Sequence, residues 1–415
     1  MNNNEALRCL LCKKPKCSLQ GCPVHTPVPE CVQLYREDRL EEAGKLLFDN
    51  NPLTAVTSRV CEWKQFCYGH CVLNVKSIPV RWYELEQEIS DAYLFGARLD
   101  RESDVLSGKK IAIIGAGPVG ICAAVWLYRA GADIALADAN PRIGGVLRYG
   151  IPAFRLDRKY VNAFERMFEQ AGIVFQGDIT VGKDIGLDRV AARYDAVLIG
   201  TGAEKPATLS IPGEGKGLQA LPFLRNPAAF DLGRKVIVIG GGNVAMDTAR
   251  TAIRQGAETW IYYRKDYGNM PANPIEVEGA MRDGVHFRVF QAPVEVKANS
   301  VVFCDCQNET DPETGKIVTR IIQGTEHEVE CDTLLTAISE KPDFSIFSGC
   351  EPVRNDWGWP EVTEEGQVVI PGIDNVFVAG DFRYGPKTVV EAVASTRTAV
   401  NAIIARYGRK PETAE

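Results

Sequence analysis

The sequence predicts an α/β protein: an α-helical N-terminal domain followed by two parallel-sheet domains of the Rossmann-like, dinucleotide-binding type. Three observations carry this. An apolar strand runs into a glycine-rich turn and then a helix at KKIAIIG, with Gly115-Ala-Gly117-Pro-Val-Gly120 opening ICAAVWLYRAGAD before a second strand, IALAD. The same module returns at RKVIVIG, with Gly240-Gly241-Gly242-Asn243-Val-Ala245 opening MDTARTAIRQG before TWIYY. Ahead of both lies a helix-leaning stretch that holds eight of the thirteen cysteines before residue 72.

These features divide the chain into residues 1–105, a cysteine-rich helical domain; 106–230 with 332–415, the first dinucleotide domain; and 231–331, the second. The segment 100–110 reads as a linker. With 415 residues and 45% hydrophobic content, the chain can build more than one core. A net charge of −7 and a pI near 5.4 argue against binding a phosphate backbone, so no nucleic acid partner is expected. No long uncharged apolar run or secretory start is present, so neither a membrane span nor export is expected and the chain is placed in the cytoplasm.

In a fingerprint of this kind the first glycine permits a tight turn, the second lets backbone N–H groups approach a pyrophosphate, and the third position lets helix and strand pack closely. In the first copy these are Gly115, Gly117 and Gly120, and Asp138 ends the next strand, where a carboxylate can accept from an adenosine ribose. This copy is read as the FAD site. In the second copy Gly240, Gly242, Asn243 and Ala245 take the same places, and Arg264 and Lys265 follow TWIYY. Cations there suit a 2′-phosphate, so NADPH is expected rather than NADH. Near the end, Gly380-Asp381 after NVFVA, with Thr388 and Val389 opening a long helix, reads as the flavin end of the first site.

Two-dinucleotide flavoproteins often carry a redox-active cysteine pair, but none stands after Gly144-Gly145 (VLRYGIPAFRL) or before the second fingerprint (LRNPAAFDLGRK). Cys122, Cys304, Cys306, Cys331 and Cys350 are read as buried structural thiols. His25, His70, His286 and His327 show no metal or triad spacing. The N-terminal thiols are different: Cys9, Cys12, Cys17 and Cys22, then Cys61, Cys67 and Cys71, are seven closely spaced donors, one short of two four-cornered sites. The run ending Cys22-Pro23 resembles bacterial iron–sulfur ligand runs; zinc is the rival, disfavoured because zinc ribbons use two separated CxxC pairs and only one CxxC is present.

Over residues 5–405 the motifs CLLCKKPKCSLQGCPVHTPVP, DNNPL, RVCEWKQFCYGHC, GAGPVG with GGVLRYGIPAFRL, GGGNVAMD with YRKDYGNMP, and AGD with KTVVEAV resemble one family. It comprises the small subunit of glutamate synthase and the N-terminal half of dihydropyrimidine dehydrogenase, and the ferredoxin:NADP oxidoreductase large subunit is similar. The resemblance implies two [4Fe-4S] clusters, with Cys9, Cys12, Cys17 and Cys71 holding one and Cys22, Cys61 and Cys67 three corners of the other. It places the eighth ligand at Glu86, with Cys31 the other candidate; it also assigns Gly145 to the flavin site. The implied activity is hydride transfer from NADPH to FAD, then single electrons through the clusters to a second subunit or ferredoxin in a hetero-oligomer. A transhydrogenase-type subunit is the alternative, and a thiol–disulfide reductase or a non-catalytic redox sensor stand further off. The chain departs from the family pattern in the spacing of Cys17 and Cys22, at Glu62, and at Ser339, where relatives often have glycine.

Overall fold

The apolar runs before the two fingerprints become the central strands of two parallel sheets. In the computed structural model, which describes residues 3–315 and 317–409, the first sheet has the order Val376–Val378, Ala196–Ile199, Lys110–Ile114, Asp133–Ala137, Val174–Gln176, every pair parallel. The second has the order Leu218–Gln219, Thr333–Thr336, Lys235–Ile239, Glu258–Tyr263, His286–Val289, again all parallel. Their inner strands are buried on both faces, which is why they read as continuous apolar stretches rather than alternating ones.

A four-stranded antiparallel sheet covers part of the second: Gln291–Val296, Ser300–Thr310, Ile317–Ile321 and His327–Glu330. Phe303 from this sheet stacks on Tyr262 with ring centroids 4.1 Å apart. At the N-terminus the helices Val28–Arg36, Leu40–Asn50 and Trp82–Leu94 close around Cys31, Val32, Leu47, Leu85 and Ile89.

The described residues fall into two units, 3–148 with 153–203 and 342–409, and 149–152 with 204–341. Positions 1–2 and 410–415, the outer ends of the expected domains, lie outside the described residues. Two boundaries differ from the sequence reading. The helical region is not a separate unit: the Trp126 indole donates to the Asp49 carbonyl at 3.2 Å and Arg129 pairs with the Asp49 carboxylate at 2.6 Å, joining it to the first sheet's leading helix, Pro118–Arg129. Residues 204–230 and 332–341 belong with the second unit, because Leu218–Gln219 and Thr333–Thr336 are strands of its sheet.

Ser339 has φ +110°, a conformation disfavoured for any residue with a Cβ. Its carbonyl accepts from Ala207 N at 3.0 Å. Relief of that strain outweighs the extra freedom glycine gives the unfolded chain, so Ser339→Gly is expected to raise the unfolding temperature by about 2 °C in calorimetry. An unchanged or lower transition would show the backbone to be unstrained there.

Candidate functional site

At the first fingerprint, the tight turn Gly115–Gly117 leads into Pro118–Arg129, with Gly117 as the residue before the first helical turn. A side chain at Gly120 would place its Cβ 2.0 Å from the Gly115 carbonyl oxygen, so strand and helix meet here with room for hydrogen only. Gly144 donates to the Ala116 carbonyl at 2.7 Å, which seats the Gly144-Gly145 turn against the glycine loop.

Asp138 is buried at the end of Asp133–Ala137 and ties this loop to the sheet. Its Oδ2 accepts from Ala116 N at 2.6 Å, and its Oδ1 accepts from the Asn140 backbone N and Nδ2 at 2.7 and 2.8 Å. A carboxylate has about four acceptor sites, so one further donor can still be taken. Neither Asn140 nor the Gly200-Thr201-Gly202 turn was read from sequence. The turn after Ala196–Ile199 lies against the fingerprint, with the Gly200 carbonyl facing Gly115; the apolar run DAVLIGTG was its signal.

Gly380 donates to Ser395 Oγ at 2.9 Å, and Asp381 accepts from Lys387 N at 3.2 Å. Thr388 caps the helix Val389–Tyr407 in a reciprocal capping box with Glu391. These residues bring the chain back to the first sheet through Val376–Val378, its edge beside Ala196–Ile199.

In the second unit, Gly240 and Gly242 lead into Asn243–Arg254, and Ala245 is fully buried in that helix. A Cβ on Gly241 would lie 2.5 Å from the Tyr263 ring, so the turn is pressed against the end of the next strand. The loop YRKDYGNMPANP then folds back over the fingerprint: Ala272 donates to the Gly241 carbonyl at 3.0 Å and Asn273 N to Asn243 Oδ1 at 2.8 Å. Tyr263 OH donates to the Asn269 carbonyl at 2.8 Å, while Asp266 accepts from Asn269 N and Nδ2 and from Asn308 Nδ2, each at 2.9 Å. Those bonds hold the Asp266 carboxyl below the usual range. Arg264, exposed, and Lys265, half-buried, therefore stand on a fixed loop beside the glycine turn.

Burial and neighbouring charges raise most of the N-terminal thiols. Burial pushes Cys17 up to about 12, and the charges of Cys71, Cys9 and Cys12 add to it; Cys9 is raised by burial and by Cys12 and Cys71. Cys61 and Cys67 are raised well above a thiol's ordinary value by burial, then by Glu86, with Cys22 felt by both. Cys22 is raised by burial and by Glu86. Glu86, 8% exposed, accepts from Thr54 Oγ1 at 2.9 Å, and burial lifts its carboxyl to about 7. Cys71, Cys9 and Cys12 thus act on Cys17, and Glu86 acts on Cys22, Cys61 and Cys67, while Cys67 also feels Cys17. Among the described residues no three such side chains close on one point as a lone ion needs. Seven closely spaced thiols that do not close on one point suit polynuclear groups with thiolate corners better than a lone ion.

Cys31 lies in the helical core, its sulfur 4.0 Å from the Ala43 carbonyl; Glu86 acts on it, but no thiol is among the groups that do. Cys122, Cys304, Cys306 and Cys331 are buried as expected, whereas Cys350 is only half-buried because it lies in the turn after Phe344–Phe347.

A family model described as pyridine nucleotide-disulphide oxidoreductase matches residues 109–396, and one described as dihydropyrimidine dehydrogenase domain II, 4Fe-4S cluster, matches residues 1–95. The NADPH glutamate synthase small chain of Escherichia coli K12 is 34% identical over 96% of this chain and 90% of its own length. The chain belongs to this family. It is an oxidoreductase whose N-terminal region is of the 4Fe-4S kind. The NADPH-Fe(3+) oxidoreductase subunit beta of Geobacter sulfurreducens is 30% identical over 93% of this chain and 62% of that one. FprA of Mycobacterium tuberculosis in complex with NADPH has the same fold, with a TM-score of 0.60 at 19% identity, covering 73% of this chain and 87% of that one. No helix among the described residues is long and apolar enough to cross a membrane.

Proposed function

We propose that the chain is an NADPH-oxidising, FAD-containing electron-transfer subunit that passes single electrons through two [4Fe-4S] clusters to a partner protein. The observation that carries this reading is the set of seven closely spaced thiols with the buried Glu86, in the 4Fe-4S-type region of the unit that bears the first fingerprint. A flavin supplies the step from a two-electron hydride to one-electron transfer when bound. The chain's own residues do the rest by position and charge. The Gly115–Gly117 turn offers backbone N–H groups and a helix N-terminus to a pyrophosphate, and Asp138 holds that turn in shape through Ala116 N. Thr388 at the head of Val389–Tyr407 points a positive helix end at the flavin-side loop of Gly380-Asp381. Arg264 and Lys265 hold the nucleotide's 2′-phosphate.

Protein purified without oxygen is expected to contain about eight irons per chain and negligible zinc, and its flavin absorbance is expected to bleach on addition of NADPH. Stoichiometric zinc in place of iron would end the reading. Because Gly120 meets the Gly115 carbonyl with no space for a methyl group, Gly120→Ala is expected to lower bound flavin by about tenfold while leaving iron content unchanged. Flavin retained at the wild-type ratio would place FAD elsewhere.

A further inference from the structure

The antiparallel sheet reaches the loop that carries Arg264 and Lys265 at two points. Cys306 and Asn308, alternate residues of its long strand Ser300–Thr310, make the links. Cys306 N donates to the Phe290 carbonyl at 2.8 Å, and Phe290 N donates in turn to the Lys265 carbonyl at 3.2 Å. Phe290 holds φ +57° in this position, a conformation that is costly for a bulky side chain and persists only where the surroundings fix it. Asn308 Nδ2 donates to Asp266 Oδ2 at 2.9 Å, and Asn308 Oδ1 accepts from Thr319 Oγ1 of the neighbouring strand at 3.4 Å, so its amide is held at both ends.

Asp266 directly follows the two cations in the chain. A carboxylate just past this strand is what an NADH site uses to accept from a ribose hydroxyl; beside a 2′-phosphate it repels the ligand and competes for the cations. Here both of its oxygens are taken up by neutral amides. Oδ1 accepts from Asn269 N and Nδ2, and Oδ2 accepts from Asn269 Nδ2 and from Asn308 Nδ2, each at 2.9 Å. Among the described residues no carboxylate pairs with Arg264 or Lys265. Asn269 belongs to the same loop and moves with it. Asn308 is the donor that comes from outside, on a sheet strand.

We infer that Asn308 is a positioning residue for NADPH selectivity: from the antiparallel sheet it holds the Asp266 carboxylate on amide donors, away from Arg264 and Lys265, and so keeps both cations open to a 2′-phosphate. This role rests on the reading of those two cations as the 2′-phosphate ligands. Without Asn308 the Oδ2 oxygen has one donor fewer, and the carboxylate can turn toward Arg264.

The test uses the full chain with flavin bound, and two calorimetric probes that differ by the 2′-phosphate alone, adenosine 2′,5′-bisphosphate and adenosine 5′-monophosphate. The wild type should bind the bisphosphate about tenfold or more tightly, and Asn308→Ala should cut that ratio about fivefold by weakening the bisphosphate alone. In stopped flow the same variant should raise the NADPH concentration for half-maximal flavin bleaching about fivefold, with the maximal rate and the NADH requirement unchanged. Adding Asp266→Asn, which leaves an oxygen for Asn269 N but removes the charge, should restore the wild-type ratio, a rescue that a purely structural brace would not give. An unchanged ratio in Asn308→Ala overturns the inference while leaving the cations as phosphate ligands. Equal weakening of both probes overturns it too, as does a failure of Asp266→Asn to restore the ratio. If the wild type itself shows no preference for the bisphosphate, the cation reading falls and this role falls with it.

Discussion

Glu86→Ala is expected to purify with about four irons per chain in place of about eight, whereas Cys31→Ala keeps the full complement. Glu86 lies on the helix Trp82–Leu94 with its carboxyl buried and bonded to the Thr54 hydroxyl. A buried carboxyl is costly unless it is paired, hydrogen-bonded or bound to metal, and besides Thr54 the Trp82 side chain bonds to this one. Its charge is the first neighbouring charge felt by both Cys61 and Cys67, and it is felt by Cys22. Cys31 feels Glu86 as well, but it sits fully buried in the core with Val28, Val32, Tyr35 and Leu47, and no thiol charge acts on it. Removing its sulfur costs stability of about 1 kcal/mol and no ligand. Iron and acid-labile sulfide analysis, with EPR of the reduced protein, reads the outcome directly. Iron lost from Cys31→Ala and retained in Glu86→Ala would exchange the two roles.

The double change Arg264→Ala with Lys265→Ala is expected to raise the NADPH concentration needed for half-maximal flavin reduction by about ten- to a hundredfold, with NADH little affected. A 2′-phosphate carries nearly two negative charges and a guanidinium can hold it bidentately; bonds of this type contribute on the order of 1.5 to 3 kcal/mol each. The loop supports this because its shape does not depend on the two cations. Asp266, Asn269 and Asn308 bond to one another, and Tyr263 bonds to Asn269, so removing Arg264 and Lys265 leaves the backbone in place. Stopped-flow measurements with both nucleotides separate this from general damage, which would slow NADH equally. A wild-type preference for NADH would make the two cations ordinary surface charges.

Where local rules suffice, the sequence was readable. KKIAIIG and RKVIVIG are apolar on both faces and punctuated by glycine, so strand, turn and helix followed directly; Thr388 with Glu391 three residues on is a cap pattern that needs no tertiary information. The spacing of the cysteines nominated candidate donors. What escaped was decided by distant partners. Leu218–Gln219 is two residues long and is a strand only because Thr333–Thr336 lies beside it, so the boundary between the units was placed too late at one crossing and too early at the other. The antiparallel strands between Gln291 and Glu330 show neither a long apolar run nor a regular alternation in burial, and only VVFCDC stood out. Asp138 was read as an acceptor for a ribose, and its further bonds to Ala116 and Asn140 depend on a turn the chain makes in space.

The return of Val376–Val378 to the first sheet has a consequence for how the protein is made. The second unit is nearly continuous, 204–341, while the first is interrupted by it and completed only by residues from 342 onward. On the ribosome, the inserted unit can therefore reach its final form before the unit that precedes it in the chain. Until the last helix emerges, Arg397 cannot bond the Val24 and Asn50 carbonyls, and the strand Ala196–Ile199 has one edge open. The thiols emerge first and wait longest, so the N-terminal segment must survive the synthesis of more than three hundred residues with its cysteines reduced and its closing partner not yet made.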